Sequence, residues 1–359
     1  MDKFLKEQII TYIGNKRALL DFIESGLKVA KDELGKEKVS FCDLFSGSGI
    51  VARFAKAHSN FIVANDLELY SKIINECYLS NKTEKLSEQI NALFPKISNT
   101  KELKKGFIYE LYSPKDDKNI KASDRAFYTN QNALIIDTIR QNIDEFCPAN
   151  LKPYFIAPLL YEASVHANTA GIFKGFYKNK DGIGEFGGSG KNALSRITGK
   201  ISLKKPVFSP FCVPFEVYQE DASLLAKSID TDICYIDPPY NQHPYGSNYF
   251  MLNLIAEYKK PTEISEVSGI TKEWNRSVFN QKRNAKDALF EIVNDLNSKF
   301  ILISYNSEGF ITKDEFLKGL SKFGKVEVIK QKYNAFRGSR NLRSRETHVK
   351  ELLFILKKD

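Results

Sequence analysis

Val39-Ser40-Phe41-Cys42-Asp43-Leu44-Phe45-Ser46-Gly47-Ser48-Gly49 is the stretch whose reading decides the fold. Val39 to Phe45 reads as a buried strand, the glycines form a tight turn, and Ile50 to about His58 reads as a helix. A strand that feeds a glycine turn and a helix is the opening of a βαβ unit. A second strand, Phe61 to Ala64, ends at Asn65-Asp66. Ile233 to Ile236 and Phe300 to Ser304 read as two more strands. Lys325 to Lys332 and Thr347 to Leu356 read as a terminal antiparallel hairpin around a basic loop. Strands alternating with helices predict an α/β fold with a doubly wound, mostly parallel sheet.

Between about residues 80 and 215 the pattern changes to helix-like, charged and interrupted segments, with a glycine-rich run from Gly182 to Gly190. This reads as an inserted, mainly helical domain. The expected division is a catalytic domain from 1–80 and 215–359 with an insertion at 81–214. A chain of 359 residues has room for both. At 42% hydrophobic and 27% charged residues, it belongs with globular rather than disordered sequences. A net charge of +9 favours a polyanionic partner. The five cysteines are odd in number and include no C-x-x-C pair, so neither a zinc site nor a disulfide framework is expected. Cys42 and Cys234 lie in apolar runs and read as small core residues. No signal-peptide pattern or membrane-length apolar run stands out, so the expected location is a reducing cytoplasm.

Asp237-Pro238-Pro239-Tyr240 follows directly on the strand Ile233 to Ile236. A carboxylate, two prolines and an aromatic ring suit methylation of a planar exocyclic amine. The amino group of adenine is a poor nucleophile because its lone pair is delocalised into the ring. Acceptors for both of its hydrogens draw it out of plane, and the Asp237 carboxylate and Pro238 carbonyl are candidates. The prolines fix φ and stiffen the segment, while Tyr240 can stack on the base. A simple turn after a strand is the alternative. The glycine turn likewise has two readings. Gly47, Gly49 and Ala52 fit a nicotinamide fingerprint loosely, and Asp66 suits ribose hydroxyls in a dinucleotide or a nucleoside cofactor. An N-cap is the bland alternative for Asp66. Near the N-terminus, Tyr12-Ile13-Gly14-Asn15-Lys16-Arg17 can wall a small ligand or be a surface turn before an amphipathic helix.

Taken in order, Tyr12 to Lys16, Asp43 to Gly49, Asn65-Asp66, Asp221 and Asp237 to Tyr240 resemble the motifs of adenine-N6-specific DNA methyltransferases. The order is that of the deoxyadenosine methylases, the D12 class with the alpha motif order. The resemblance covers roughly 1–75 and 215–310, and the central insertion in outline. It implies a Rossmann-like methyltransferase sheet, an inserted target-recognition domain and S-adenosylmethionine as cofactor. Tyr12 and Lys16 match the family's N-terminal loop against the cofactor. Asp43, Phe45, Gly47 and Gly49 match its F-x-G-x-G strand and loop, Asp66 its ribose-holding acid and Asp221 the acid reading the cofactor's adenine. Asp237, Pro238, Pro239 and Tyr240 match the catalytic tetrad, with Asp237 also beside the cofactor. The implied reaction is direct transfer to an adenine flipped out of the duplex.

For DNA, Asn168 in His166 to Lys174 resembles the family's recognition stretch and suits bidentate reading of adenine, with Lys174 or Lys178 for phosphates. His166 reads as either a structural histidine or a DNA contact. The run Gly175-Phe176-Tyr177 departs from the proline-containing family pattern. Gly182 to Gly190 reads as a strand-binding loop or an exposed linker. Arg337, Arg340, Arg343 and Arg345 suit phosphates, with a solvated loop as the alternative. His243, Tyr245, Asn248 and Tyr249 are expected to form a flap over the flipped base. Ser304-Tyr305-Asn306 is expected to shape the pocket wall, or to lie in the core. The expected partners are double-stranded DNA and a cognate restriction endonuclease, with the chain a monomer or weak dimer in a bacterial or phage setting. The rivals are cytosine-N4 methylation, with its usual Ser replaced here by Asp237, and a silent methyltransferase fold that only binds DNA.

Overall fold

The computed structural model describes residues 2–334 and 348–359. Its centre is a sheet of strands β1 (Val39–Asp43), β2 (Ser59–Asn65), β3 (Phe215–Tyr218), β4 (Asp230–Ile236), β5 (Asn297–Asn306), β6 (Gly324–Asn334) and β7 (His348–Lys358). Their order is β3-β2-β1-β4-β5-β7-β6. β1 to β5 are parallel, and β7 lies antiparallel between β5 and β6.

Side-chain alternation assigns the two faces. Phe41, Ile233, Tyr235, Phe300 and Leu302 enter one core, beneath the helices Leu20–Leu34 and Ile50–Ala55. Their neighbours Cys42, Cys234, Ile236, Ile301 and Ile303 enter the opposite core, beneath Ala285–Asp295 and Lys313–Leu320. Both cysteines are buried as small core residues, as their apolar runs implied.

A third apolar core sits among helices beside the sheet. Leu69–Leu79, Phe107–Tyr112, Asn130–Phe146, Pro153–Val165 and Phe250–Glu257 all contribute to it. The central helices therefore share apolar packing with segments that flank them in sequence. Among the described residues, no helix is long and apolar enough to cross a membrane.

Strand β3 escapes a reading of the sequence because it is a short edge strand, only half-buried, with no continuous apolar run. The helix after the glycine turn ends at Ala55 rather than His58, the chain beyond it turning through Ala57 and His58 N–H bonds to the carbonyls of Phe54 and Ala55. The run Gly182 to Gly190 is no exposed linker at its centre. Gly184, Phe186, Gly187 and Gly188 are buried, and Phe186 packs with Ala126 and Ile197.

Candidate active site

Strand β1 lies between β2 and β4, so the connections leave it toward opposite edges and open a crevice at the strand C-termini. Asp43 ends β1, Asn65 ends β2 immediately before Asp66, and Asp237 follows β4. A cleft here encloses about 900 Å³ free of protein atoms, open solvent included. Tyr12, Lys16, Asp43, Phe45, Gly47, Asp66, Asp221, Asp237 and Pro239 all line it. Gly49 lies behind the turn, Pro238 is buried, and the Tyr240 ring meets Tyr305 edge-on at 6.0 Å.

The glycine turn is required by geometry. Gly47 has φ of +50° and Gly49 of +74°, the left-handed region. A Cβ on Gly47 would stand 3.0 Å from the Tyr12 ring, and one on Gly49 would stand 2.9 Å from Asn75 Oδ1. Asp66 fixes the turn: Oδ2 accepts from the Gly47 N–H at 2.8 Å and Oδ1 from the Glu68 N–H at 2.9 Å. Burial pushes the Asp66 carboxyl up to about 6, against the opposing pull of these bonds. Asp43 Oδ2 accepts from the Ala52 N–H at 3.1 Å, whereas its buried Oδ1 has no hydrogen-bond partner. Burial, and then the nearby Asp237, hold the Asp43 carboxyl well above the ordinary range.

The N-terminal loop reaches the cleft because side chains far along the chain hold it. The Thr11 N–H donates to Ser164 Oγ at 3.0 Å, the Ile13 N–H to Tyr249 Oη at 2.7 Å, and Tyr245 Oη to the Ile13 carbonyl at 3.2 Å. The Tyr12 ring stacks on Tyr245 and Tyr249 with centroids 5.1 and 4.6 Å away. The expected flap over the base is thus corrected at these residues. Tyr249 is fully buried, and both tyrosines clamp the N-terminal loop, Tyr245 from the start of the helix Tyr245–Asn248 and Tyr249 from the junction between it and Phe250–Glu257.

Lys16 sits in the cleft wall at 5% exposure. Its Nζ lies 3.1 Å from Asp237 Oδ1 and 2.7 Å from Glu351 Oε1. Burial pushes the ammonium down, but Asp237 and then Glu351 more than offset it and hold Lys16 well above the ordinary lysine range. Asp237 is pushed up to about 6: burial raises it, Lys16 lowers it and Glu351 raises it again. At neutral pH the cleft therefore presents a mostly ionised Asp237, desolvated and poised to accept hydrogen bonds.

Asp221 caps the short helix Ala222–Leu225, with Oδ1 accepting from the Ser223 N–H at 2.8 Å. Tyr305 lies in the core, where it packs on Phe316 at 4.8 Å, while Ser304 reaches Glu351. Sequence reading missed Glu68 and Glu351. Glu68 is buried in the cleft floor, its Oε2 accepting from Asn253 and Asn275, and burial raises it to about 7. Its place two residues after Asp66 was the one available signal; Glu351, inside an apolar strand, offered only its incongruity.

Of the residues expected to touch DNA, Asn168 needs correction. It is fully buried, its Nδ2 donating to the carbonyls of Ala126 and Glu185 and its Oδ1 accepting from the Gly187 N–H at 3.0 Å. All these bonds go to backbone, so the side chain has no free edge for a base. Asn168→Ala is expected to cost about 2–4 kcal/mol in chemical denaturation, with the methylated motif unchanged. A new motif at unchanged stability would restore the base-reading role. His166 is structural too, with Nδ1 2.5 Å from the Arg196 carbonyl. Lys174 is half-buried and close enough to His243 to help depress that imidazole, after the larger effect of burial. Arg337, Arg340, Arg343 and Arg345 lie outside the described residues.

A doubly wound sheet with acids at the ends of β1, β2 and β4, a glycine turn and a D-P-P-Y tetrad defines a Rossmann-like methyltransferase. Residues 12–318 match the family model of the D12 class N6 adenine-specific DNA methyltransferase. The chain belongs to this family, and its reaction is the site-specific methylation of adenine in DNA; cytosine-N4 chemistry is not favoured. It is 30% identical to the Type II methyltransferase M.NlaIII of Neisseria lactamica, across 97% of this chain and 99% of that one. It is 31% identical to the Type II methyltransferase M.CviAII of Paramecium bursaria Chlorella virus 1, across 97% and 98%. A match of 28% to the Type II methyltransferase M.FokI of Planomicrobium okeanokoites covers 97% of this chain and 52% of that one.

Proposed function

We propose that the methyl donor is S-adenosylmethionine, held by Tyr12, Lys16, Asp43, Phe45, Gly47, Gly49, Asp66 and Asp221. The residues fit such a ligand. The buried Asp43 Oδ1 lacks a donor, and an amino-acid ammonium would supply one. Asp66 retains lone pairs for ribose hydroxyls beyond its two backbone bonds. Bound there, the cofactor supplies an electrophilic methyl group on a sulfonium.

The chain's own work falls to the tetrad. The Asp237 carboxylate and the Pro238 carbonyl accept the two hydrogens of the flipped adenine's amine, which localises its lone pair. Tyr240 stacks on the base, and the Phe310 N–H holds the Tyr240 carbonyl at 3.2 Å. Asp237 acts by orientation and charge, because the amine proton becomes acidic only as the methyl group arrives. The observation that carries this reading is the place of Asp237 in the crevice lining, with Oδ1 3.1 Å from the Lys16 ammonium.

An ionised Asp237 makes the rate pH-dependent. Its carboxyl lies at about 6, so single-turnover methylation is expected to fall about tenfold per pH unit below that value. A flat profile from about pH 5 to 8 would remove Asp237 from the role of acceptor.

We assign residues 81–214 to target recognition and 1–80 with 215–359 to catalysis. Lys174 is placed on DNA phosphates, as are Arg337, Arg340, Arg343 and Arg345 on their charge alone. The relatives' names, Type II methyltransferases and modification methylases, support a restriction–modification setting. To that setting we assign a cognate endonuclease on the same site, and to the chain a monomeric or weakly dimeric state in a bacterial or phage cytoplasm. The deciding experiment is single-molecule sequencing of DNA from a methylation-free host that expresses the chain. N6-methyladenine at one short motif is expected; an unmodified genome beside soluble protein that binds S-adenosylmethionine would overturn the reading.

A further inference from the structure

We propose that Glu351 is a positioning residue for methyl transfer: it shares the Lys16 ammonium with Asp237 and so leaves the Asp237 carboxylate free to accept from the substrate amine. The inference rests on the role proposed for Asp237. Glu351 lies on β7, opposite Asn306 at the C-terminal end of β5, and is 2% exposed. It falls beyond the residues 12–318 that match the family.

Its contacts are specific. Lys16 Nζ is 2.7 Å from Glu351 Oε1 but 3.1 Å from Asp237 Oδ1, so the shorter contact goes to the residue remote from the tetrad. Ser304 Oγ donates to the same Oε1 at 2.8 Å and fixes the carboxylate from β5. Asp43 from β1, Tyr235 from β4 and Tyr240 and Tyr245 beyond it are the other titratable groups that face the cluster.

One buried lysine needs one acid to be neutralised. A second acid leaves an ionised cluster with a net negative charge, and burying charge without full compensation costs several kcal/mol. Stability alone would therefore favour a neutral residue at 351. The second acid instead changes what Asp237 can do. A lysine paired with Asp237 alone would draw electron density from the carboxylate and weaken it as an acceptor. With Glu351 competing for the ammonium, Asp237 keeps its acceptor strength, and Lys16 stays charged and fixed.

Glu351→Gln tests this, since an amide oxygen still accepts from Lys16 and Ser304 while the charge is removed. The plateau single-turnover rate is expected to fall about tenfold. The acid limb should move down by about one pH unit, because Lys16 then bears fully on Asp237. Donor and DNA affinities should hold. Ser304→Ala should shift the limb the other way, as Glu351 loses a donor and bears more strongly on the pair. That variant also decides the matter if Glu351→Gln does not fold. An acid limb that stays in place in the variants that fold would reduce Glu351 to a structural anchor and overturn the inference. Asp237→Asn keeps the two proposals apart. Full activity in that variant would sink the Asp237 assignment itself, whereas its inactivity beside an unmoved limb in Glu351→Gln would sink only the role of Glu351.

Discussion

Asp237→Asn will abolish methyl transfer, a loss of about 10³-fold or more in single-turnover rate, without unfolding the protein. The variant keeps the shape of the side chain but places an amide donor beside a substrate amine that needs an acceptor. Stability should hold or rise. The Asp237 carboxyl is raised from 3.8 to about 6 by burial, so its ionised form costs the fold about 3 kcal/mol relative to the unfolded chain. The sign follows from the raised value: the cost is absent below 3.8, where both states are protonated, and complete above about 6. Asparagine removes it, and Lys16 keeps Glu351 as counter-ion. Quenched single-turnover assays alongside thermal melts at pH 7.5 check both halves. An active variant would take Asp237 out of the chemistry, and an unfolded one would make it a structural residue.

Asp66→Ala should weaken donor binding about 100-fold while leaving DNA affinity intact. Asp66 is the acceptor for the Gly47 and Glu68 N–H groups, at 2.8 and 2.9 Å. Alanine therefore removes a ligand contact and also releases the turn that carries Gly47. Charge-assisted bonds of this kind contribute about 1.5–3 kcal/mol each, which sets the size of the effect. Titration calorimetry with S-adenosylmethionine reads it directly. Donor affinity within about threefold of wild type would leave Asp66 as no more than a turn acceptor.

Much of this was legible in the chain. Val39 to Gly49 and Asp237 to Tyr240 announce themselves because strand burial, glycine φ and proline stiffness are local properties. Boundaries were less legible, since a strand's last residues are decided by partners; β2 extends over Ser59–Asn65 because β1 and β3 offer ladder positions there. Asn168 misled for a related reason. An asparagine beside glycine and phenylalanine has the chemistry to read adenine, but burial had already committed its amide to Ala126, Glu185 and Gly187. The tyrosines after the tetrad misled likewise, since their ring stack on Tyr12 depends on a loop far away in sequence.

The sequence by itself determined the alternating α/β order, the glycine turn, the acids at strand ends and the family to which they point. The first three are carried by periodicity or spacing within a few residues, and the family resemblance by the order of the motifs from Tyr12 to Tyr240. Tertiary structure alone decided that β7 inserts between β5 and β6, and that Lys16, Asp237 and Glu351 share one buried cluster. The physical reason is desolvation. A charge has its working strength only where folding removes water from it, and which charges meet there depends on strand order rather than on neighbours in the chain.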